Sequence, residues 1–299
     1  MSFKLKLAVM VVSASLVTVA VSATVNAAVS VQDDLGVTVT LAKPAARIIS
    51  LAPHATEDLF AIGAGDLIVG AVNYSDYPAK AKEIERIGGY NGFDLERIRA
   101  LKPDLIIAWG SGNPQRQLDQ IKQLGIPVFT TFSKKMADVP TVLERLGVLT
   151  QQTAGAAKAA KHYRDQLARL EKTYSNRAPV RVFYQIWDRP LMTINNTQII
   201  SDVMRLCGAV NVFGHLPELT PKVDVEAVLV ANPDAIMTSG EPGVKGDVLA
   251  SWQRWKNLKA AQNKQFYVLP KDIISRMGPR LVDGAQAMCE AVEQVRQVK

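Results

Sequence analysis

Cysteine, histidine and uninterrupted apolar runs are all scarce in this chain of 299 residues, and each scarcity removes a class of function. Cys207 and Cys289 are the only cysteines, and neither has a second Cys or His close by. That spacing is wrong for a zinc cluster, whose ligands come in close pairs. Three histidines occur, His54, His162 and His215, and none stands near a Ser or Cys in a nucleophile pattern. A phosphate-cradling P-loop is absent. Gly63-Ala64-Gly65 follows a helical stretch where a dinucleotide loop must follow a strand, and its third glycine is misplaced. Residues 109–113, WGSGN, lack the spacing of a nucleophile elbow. No catalytic residue, cofactor or metal site is therefore read from the sequence, and only paired acids for hydrolysis stay open. Beyond the first 27 residues no stretch is long and apolar enough to span a bilayer.

Those first residues are the exception. MSFKLK, then LAVMVV and an Ala-, Val- and Ser-rich stretch ending Val25-Asn26-Ala27, have the three parts of a secretory leader. Residues 1–27 are read as a signal peptide cut after Ala27 or Ala28. No Cys near the cut offers a lipid anchor. The formal net charge is +7, and loss of Lys4 and Lys6 leaves +5. Lys and Arg are spread along the chain and form no long basic run, so a nucleic-acid partner is not expected. In an exported chain the cysteine pair is read as a disulfide, with two buried free thiols as the alternative.

One device occurs twice. Residues 93–110, FDLERIRALKPDLIIAWG, return in altered form at 223–240, VDVEAVLVANPDAIMTSG, each matched position 130 residues on. Asp94, Glu96, Pro103, Asp104, Ile106 and Gly110 recur as Asp224, Glu226, Pro233, Asp234, Ile236 and Gly240. Each copy reads as helix, turn and strand. Asp94 and Asp224 suit an N-cap, Glu96 and Glu226 a first turn favoured by the helix dipole, and the Pro-Asp pair a stop. LIIAW and AIMTS are short apolar runs that fit buried parallel strands.

Around the modules, strands and helices alternate. Strands are expected at 37–41, 47–51, 67–72, 127–131, 180–187 and 265–269. Helices are expected from Thr56 as cap to a stop at Gly63, and at 115–124, 139–149, 153–174, 200–207 and 280–298. Residues 88–93, 211–222 and 270–277 read as loops. The expected organisation is an N-terminal α/β lobe at 28–150, a linking helix at 151–178 and a C-terminal α/β lobe at 179–299. The fold class is α/β, two Rossmann-like lobes with parallel sheets joined by one long α-helix and a ligand cleft between them. A stiff linking helix would limit hinge motion.

Ligand sites in such sheets lie beyond the carboxyl ends of strands. The residues expected there are rich in aromatics: His54, Tyr74, Tyr90 and Trp109 in the first lobe, and Trp187, Met192, His215, Asp272 and Arg276 in the second. Large apolar faces with a few polar groups describe a cleft for a bulky, partly apolar ligand. Each aromatic alone is equally compatible with ordinary packing. His54 and His215 are either donors to a metal in the bound ligand or hydrogen-bonding and packing groups. Glu96 and Glu226, on turns that precede strands, are expected on the edge opposite the cleft or on its outer rim, where they would recognise a basic partner.

Residues 51–70, LAPHATEDLFAIGAGDLIVG, with YSDYP, the LERI…LKPDLIIAW module, CGAVNVF and the terminal PR…AMC pattern, resemble the periplasmic vitamin B12-binding proteins of bacterial ABC importers. Those proteins sit within a wider group of receptors for corrinoids, haem and iron siderophores, across which KPDLI alone is shared. The resemblance runs from about Arg47 to near the C-terminus. It implies a monomeric, non-enzymatic periplasmic receptor that hands a corrinoid to a membrane permease dimer and its ATPase. It implies Tyr74, Tyr90 and Trp109 as corrinoid contacts, Asp272 as a polar contact, a Cys207–Cys289 disulfide, and Glu96 and Glu226 as docking charges for permease arginines. Where the family has aromatics in the second lobe, this chain has Met192 and Thr220, with Trp187 and His215 as substitutes. A haem or siderophore receptor of the same fold, and a tetrapyrrole metal chelatase, are the alternatives; an anionic siderophore would want a basic cluster, for which only Arg276 and Arg189 are in place.

Overall fold

The computed structural model describes residues 27–89, 91–241 and 249–298. Residues 1–26 of the expected leader and Tyr90, an expected lobe-one contact, lie outside the described residues. After an antiparallel hairpin of β1 (Val29–Gln32) and β2 (Thr38–Leu41), the first lobe runs β3 (Ile48–Ser50), α1 (Pro53–Ala61), β4 (Ile68–Ala71), the small hairpin β5 (Gly88–Gly89) and β6 (Gly92–Phe93), α2 (Leu95–Ala100), β7 (Leu105–Trp109), α3 (Gln115–Gln123), β8 (Val128–Thr131) and α4 (Val139–Thr150). Helix α5 (Thr153–Tyr174) crosses to the second lobe. There follow β9 (Val180–Gln185), α6 (Ile199–Leu206), β10 (Ala209–Asn211), α7 (Val225–Ala231), β11 (Ala235–Gly240), α8 (Lys259–Gln262), β12 (Phe266–Pro270), α9 (Lys271–Ile274) and α10 (Leu281–Val298).

Two four-stranded parallel sheets result, ordered β4-β3-β7-β8 and β10-β9-β11-β12. The orders correspond strand for strand, so the repeated module marks two lobes of one design. Its strands β7 and β11 are central and covered on both faces, and Leu105, Ile106, Ile107, Ala235, Ile236 and Met237 have no exposed surface. Continuous apolar runs are what such strands require.

The module's acidic residues tie each helix to its sheet in the same way twice. Asp94 accepts from the Arg97 N–H at 2.9 Å and Asp224 from the Ala227 N–H at 2.6 Å, as N-caps. The Asp of each Pro-Asp pair does more than end a helix. Asp104 accepts from the Arg47 N–H at 2.9 Å and Asp234 from the Arg181 N–H at 2.9 Å, while their own N–H groups donate back to the Arg47 and Arg181 carbonyls. The two arginines complete the clasp, the Arg47 guanidinium donating to the Leu101 carbonyl and that of Arg181 to the Ala231 carbonyl. Helix-end carbonyls that would otherwise lack partners are thus satisfied.

Helix α5 belongs to both cores. Ala156 packs in the first-lobe core, whereas Tyr163, Leu167 and Leu170 pack in the second. Gly147 of α4 permits the close approach, since a Cβ there would lie 2.4 Å from that of Ala156. Met136 and Val139 from the first lobe also join the second-lobe core, and the Met136 N–H donates to Asp202 at 2.7 Å.

Several local expectations are corrected. Helix α1 begins at Pro53, whose missing N–H costs nothing in a first turn, so Thr56 is not a cap. It lies inside the helix, its hydroxyl within hydrogen-bond reach of Ser50 and Ser75. Residues 88–93 contain a hairpin and residues 271–274 one helical turn where loops were expected, and a strand at 209–211, only the last residue of which falls in an expected loop, went unread. Each of these pieces has two to four residues, too short for a periodicity to register.

Cys207 and Cys289 form a disulfide that joins the end of α6 to α10, and both are fully buried. The crosslink closes a loop of sequence separation 82, and closing a loop of that size stabilises by about 4–5 kcal/mol in the chain-entropy model. Cys207→Ala/Cys289→Ala is therefore expected to lower the unfolding free energy by about 4 kcal/mol in urea titration under oxidising conditions. A loss below about 1 kcal/mol would mean that the unfolded chain is not the state being constrained.

Candidate functional site

Glu57 brings the two carboxyl edges together. It lies in α1, just past the carboxyl end of β3, and its side chain is 2% exposed. From the other lobe, just past the end of β12, Arg276 reaches one carboxylate oxygen at 2.8 Å, and Arg280 grips both oxygens at 2.7 and 2.8 Å. A carboxylate this deeply buried requires such partners, because leaving it unpaired costs several kcal/mol. Arg276 also pairs with Asp76 at 2.9 Å and Asp272 at 3.1 Å, and donates to the Tyr74 carbonyl at 3.1 Å. Burial alone would raise the Asp76 pKa, but the hydrogen bond and charge of Arg276 outweigh it and hold the carboxyl below its ordinary range. Arg280 lies over the Tyr77 ring at 3.7 Å.

Arg276, expected as a ligand contact, is thus occupied by three carboxylates and a carbonyl. Its observed work is to fix the loop that carries Tyr74. That residue has φ 66° and a side chain left 71% exposed. Trp109, the last residue of β7, has its N–H bonded to the Asn113 side chain at 2.7 Å, and Asn113 in turn donates to the Leu51 carbonyl at 2.9 Å. Only glycine fits at Gly112, where a Cβ would lie 2.0 Å from the indole ring. The Trp109 indole N–H is buried and has no hydrogen-bond partner among the described residues.

His54 is also buried. Its Nε2 is 3.1 Å from the Thr131 hydroxyl, and its ring meets Trp109 edge-on at 5.7 Å. This is a packing and hydrogen-bonding histidine that supports the wall behind Trp109. Burial, with the charge of Arg276 adding, pushes its pKa down to about 4.

In the second lobe, Ile186 to Met192 forms a tight antiparallel arm beyond β9, with Trp187 bridged to Met192 and Met192 to Lys222. That second bridge brings the segment with Thr220 alongside Met192; Thr220 itself is exposed. His215 is exposed at the other end of the same segment, where the Asn196 N–H meets the Gly214 carbonyl. Asp272 lies in the first turn of α9 past β12. The structure thus gathers Trp187, Met192 and Thr220 in one arm, and Tyr74, Arg276 and Asp272 in one network, while His215 belongs to neither. Arg189 is 93% exposed and, among the described residues, pairs only with its neighbour Asp188 at 3.2 Å.

Of the two positions expected for the two glutamates, the opposite edge is corrected. Each helix's last carbonyls are held by an arginine at the amino end of the sheet, so its first turn points to the carboxyl edge. Glu96 and Glu226 therefore lie on the same edge as Trp109, on its outer rim and not on the far side. Both are exposed, and neither has an ion-pair partner among the described residues.

Sequence reasoning missed Glu57, Asp76 and Arg280, because partners 200 or more positions apart leave no local pattern. It also missed Asp58, 1% exposed with neither oxygen partnered among the described residues. Burial, with Glu57 and Asp34 adding, holds its carboxyl well above the ordinary range.

Two α/β lobes, a bridging helix and facing carboxyl edges define a class of two-lobed receptors. The sequence pattern of the periplasmic binding protein family matches residues 48–273, and the chain belongs to that family. Its members are binding proteins rather than enzymes. Within it, the chain is 39% identical over 246 residues to the vitamin B12-binding protein of Vibrio cholerae, covering 82% of this chain and 88% of the relative. It is 38% identical over 245 residues to that of Pectobacterium carotovorum, covering 81% and 87%. The crystal structure of the periplasmic vitamin B12-binding protein of Vibrio cholerae superposes with a TM-score of 0.79 over 85% of this chain and 99% of that one. The periplasmic heme-binding protein of Roseiflexus sp. RS-1, 21% identical with a TM-score of 0.72 over 83% and 98%, shares the fold.

Replacing Glu57 by Ala leaves two half-buried guanidinium groups short of a partner and is expected to cost about 3 kcal/mol in urea unfolding. A cost near zero would mean that the lobes do not depend on this junction. His54 is expected to shape the acid limb of stability. Its folded pKa of about 4 lies below the ordinary 6.5, so its contribution is complete above pH 6.5 and lost as pH falls towards 4, on the order of 3 kcal/mol in all. Asp58 acts in the opposite sense and cancels when two proteins that both retain it are compared. His54→Gln is expected to fall less steeply than wild type between those pH values, and parallel curves would show that His54 titrates freely.

Proposed function

We propose that this chain is a periplasmic receptor that captures vitamin B12 or a related corrinoid between its lobes and delivers it to an ABC importer in the inner membrane. The observation that carries the reading is the 39% identity, along 82% of the chain, to a vitamin B12-binding protein. The character of the site supports it. Past the carboxyl ends stand the large aromatic faces of Tyr74 and Trp187, while the arginines nearest the junction are saturated by carboxylates. Such a site favours a bulky, partly apolar ligand over a highly charged one. Tyr74, Tyr90 and Trp109 are the proposed first-lobe contacts, and Asp272 a polar contact from the second. The leader at 1–27 would export the chain and be cut away. Glu96 and Glu226, one per lobe on the cleft edge, would engage basic groups on a two-fold permease, whose partner ATPase would supply the energy.

Calorimetry of the exported protein against cyanocobalamin, dicyanocobinamide, haem and a ferric siderophore tests this, together with uptake by a reconstituted importer. Saturable binding of at least one corrinoid in preference to haem and siderophore is expected. Glu96→Arg/Glu226→Arg should keep that affinity within about twofold while abolishing uptake, as rim charges govern encounter with a partner. No heat with either corrinoid would sink the reading, and lost binding in the double variant would move the glutamates into the cleft.

A further inference from the structure

Asp58 is a buried acid with no part in the network that Glu57 anchors. It follows Glu57 in α1 and is 1% exposed. Among the described residues neither of its oxygens has a hydrogen-bond partner and no cation pairs with it, since Arg276 and Arg280 grip Glu57 instead. The groups around it offer no counter-charge. Glu57 and His54 come from the same helix, Tyr163 from α5, and Asp34 from the turn between β1 and β2, where Arg145 of α4 holds it. The Tyr163 hydroxyl is itself buried and unpartnered among the described residues.

What covers this carboxyl belongs to the other lobe. Gly278, between the two arginines that reach across, lies so close that a Cβ there would stand 3.2 Å from the Asp58 Oδ1 and 3.4 Å from the His54 Cβ. Second-lobe backbone is thus a lid on a first-lobe acid, and Asp58 is fully shielded only while the lobes stay together. A shielded, unpaired carboxyl is tolerated as the neutral acid and not as the anion. Burial, with Glu57 and Asp34 adding, accordingly lets it keep its proton well above the ordinary range. Parted from Gly278, the same carboxyl meets water and titrates as an ordinary aspartate, at about pH 4. Between that pH and its raised value, joining the lobes takes up a proton, and each rise in pH opposes it.

We propose that Asp58 is a proton lock on the lobe junction: its carboxyl stays neutral while Gly278 covers it, and parting the lobes bares it and releases its proton to water, so that the junction tightens in acid and loosens as pH rises. The inference concerns the junction and does not depend on which ligand the cleft carries. Infrared difference spectra and amide hydrogen exchange of the exported, ligand-free protein test it, on the wild type and Asp58→Asn, with Asp58→Leu in its place should the amide variant not fold. At about pH 6, where an ordinary aspartate is ionised, the wild type is expected to show a protonated-carboxyl C=O band that the variant lacks. Protection of amides in α1 and in residues 271–280, corrected for intrinsic rates, is expected to fall about tenfold or more between about pH 5 and 7 in the wild type and far less in the variant. Amides of β7 and β11 should stay protected in both. Glu57, His54 and Asp34 are retained in both proteins and drop out of the comparison. Absence of the band, the same pH dependence in the two proteins, or a loss of protection shared equally by β7 and β11 overturns the lock, the last by placing Asp58 in global unfolding instead.

Discussion

A single buried carboxylate holds the architecture in register. Glu57 sits at the point where the carboxyl edges of two separately folded sheets meet, and it is tolerable there because two guanidinium groups from the other lobe enclose it. The same contact reaches the ligand side, since Arg276 also binds Asp76 and the Tyr74 carbonyl. Lobe-to-lobe geometry and the placement of a first-lobe aromatic loop are therefore one problem with one solution. Met136 bonded to Asp202, and α5 shared between the cores, add further ties between the lobes. A receptor tied in this way holds its cleft close to one shape, which limits the ordering cost of binding.

Within each lobe the recurring constraint is the clasp between a Pro-Asp corner and an arginine at the start of a neighbouring strand. Asp104 with Arg47 and Asp234 with Arg181 fasten helix end, strand start and next strand in one knot. Because the clasp sits at the amino edge, the opposite edge is free to diverge. One copy of the module ends its strand in Trp109 seated over Gly112, and the other ends in Ser239 and Gly240. Identical foundations with different upper edges suit a ligand that lacks two-fold symmetry. The glutamates, by contrast, are kept in matching places on the rim.

Much of the fold was legible in the chain itself. The bounds of α5 fall where its Ala- and Leu-periodic run predicts, and the caps Asp94 and Asp224 and the strands LIIAW and AIMTS follow from short-range chemistry. The site was legible only as a set of strand ends. That Trp109, Tyr74 and Trp187 stand at carboxyl edges follows from strand order, but the saturation of Arg276 does not, because its partners come from residues 57, 76 and 272. Thr56 illustrates the same limit: its local setting suggests a cap, yet its hydroxyl is engaged by Ser50 and by a distant Ser75.

The sequence by itself determined the longer elements, their alternation, the duplication and the family, because helix caps, apolar periodicity and turn residues act over a few positions and need no distant partner. Tertiary structure alone decided which charges are buried, which aromatics stay in water and which edge the rim glutamates occupy. Those outcomes depend on desolvation and pairing between segments far apart in the chain. Glu57 is the clearest case, an acid of no evident distinction in a short helix until two arginines more than 200 positions away make its burial possible.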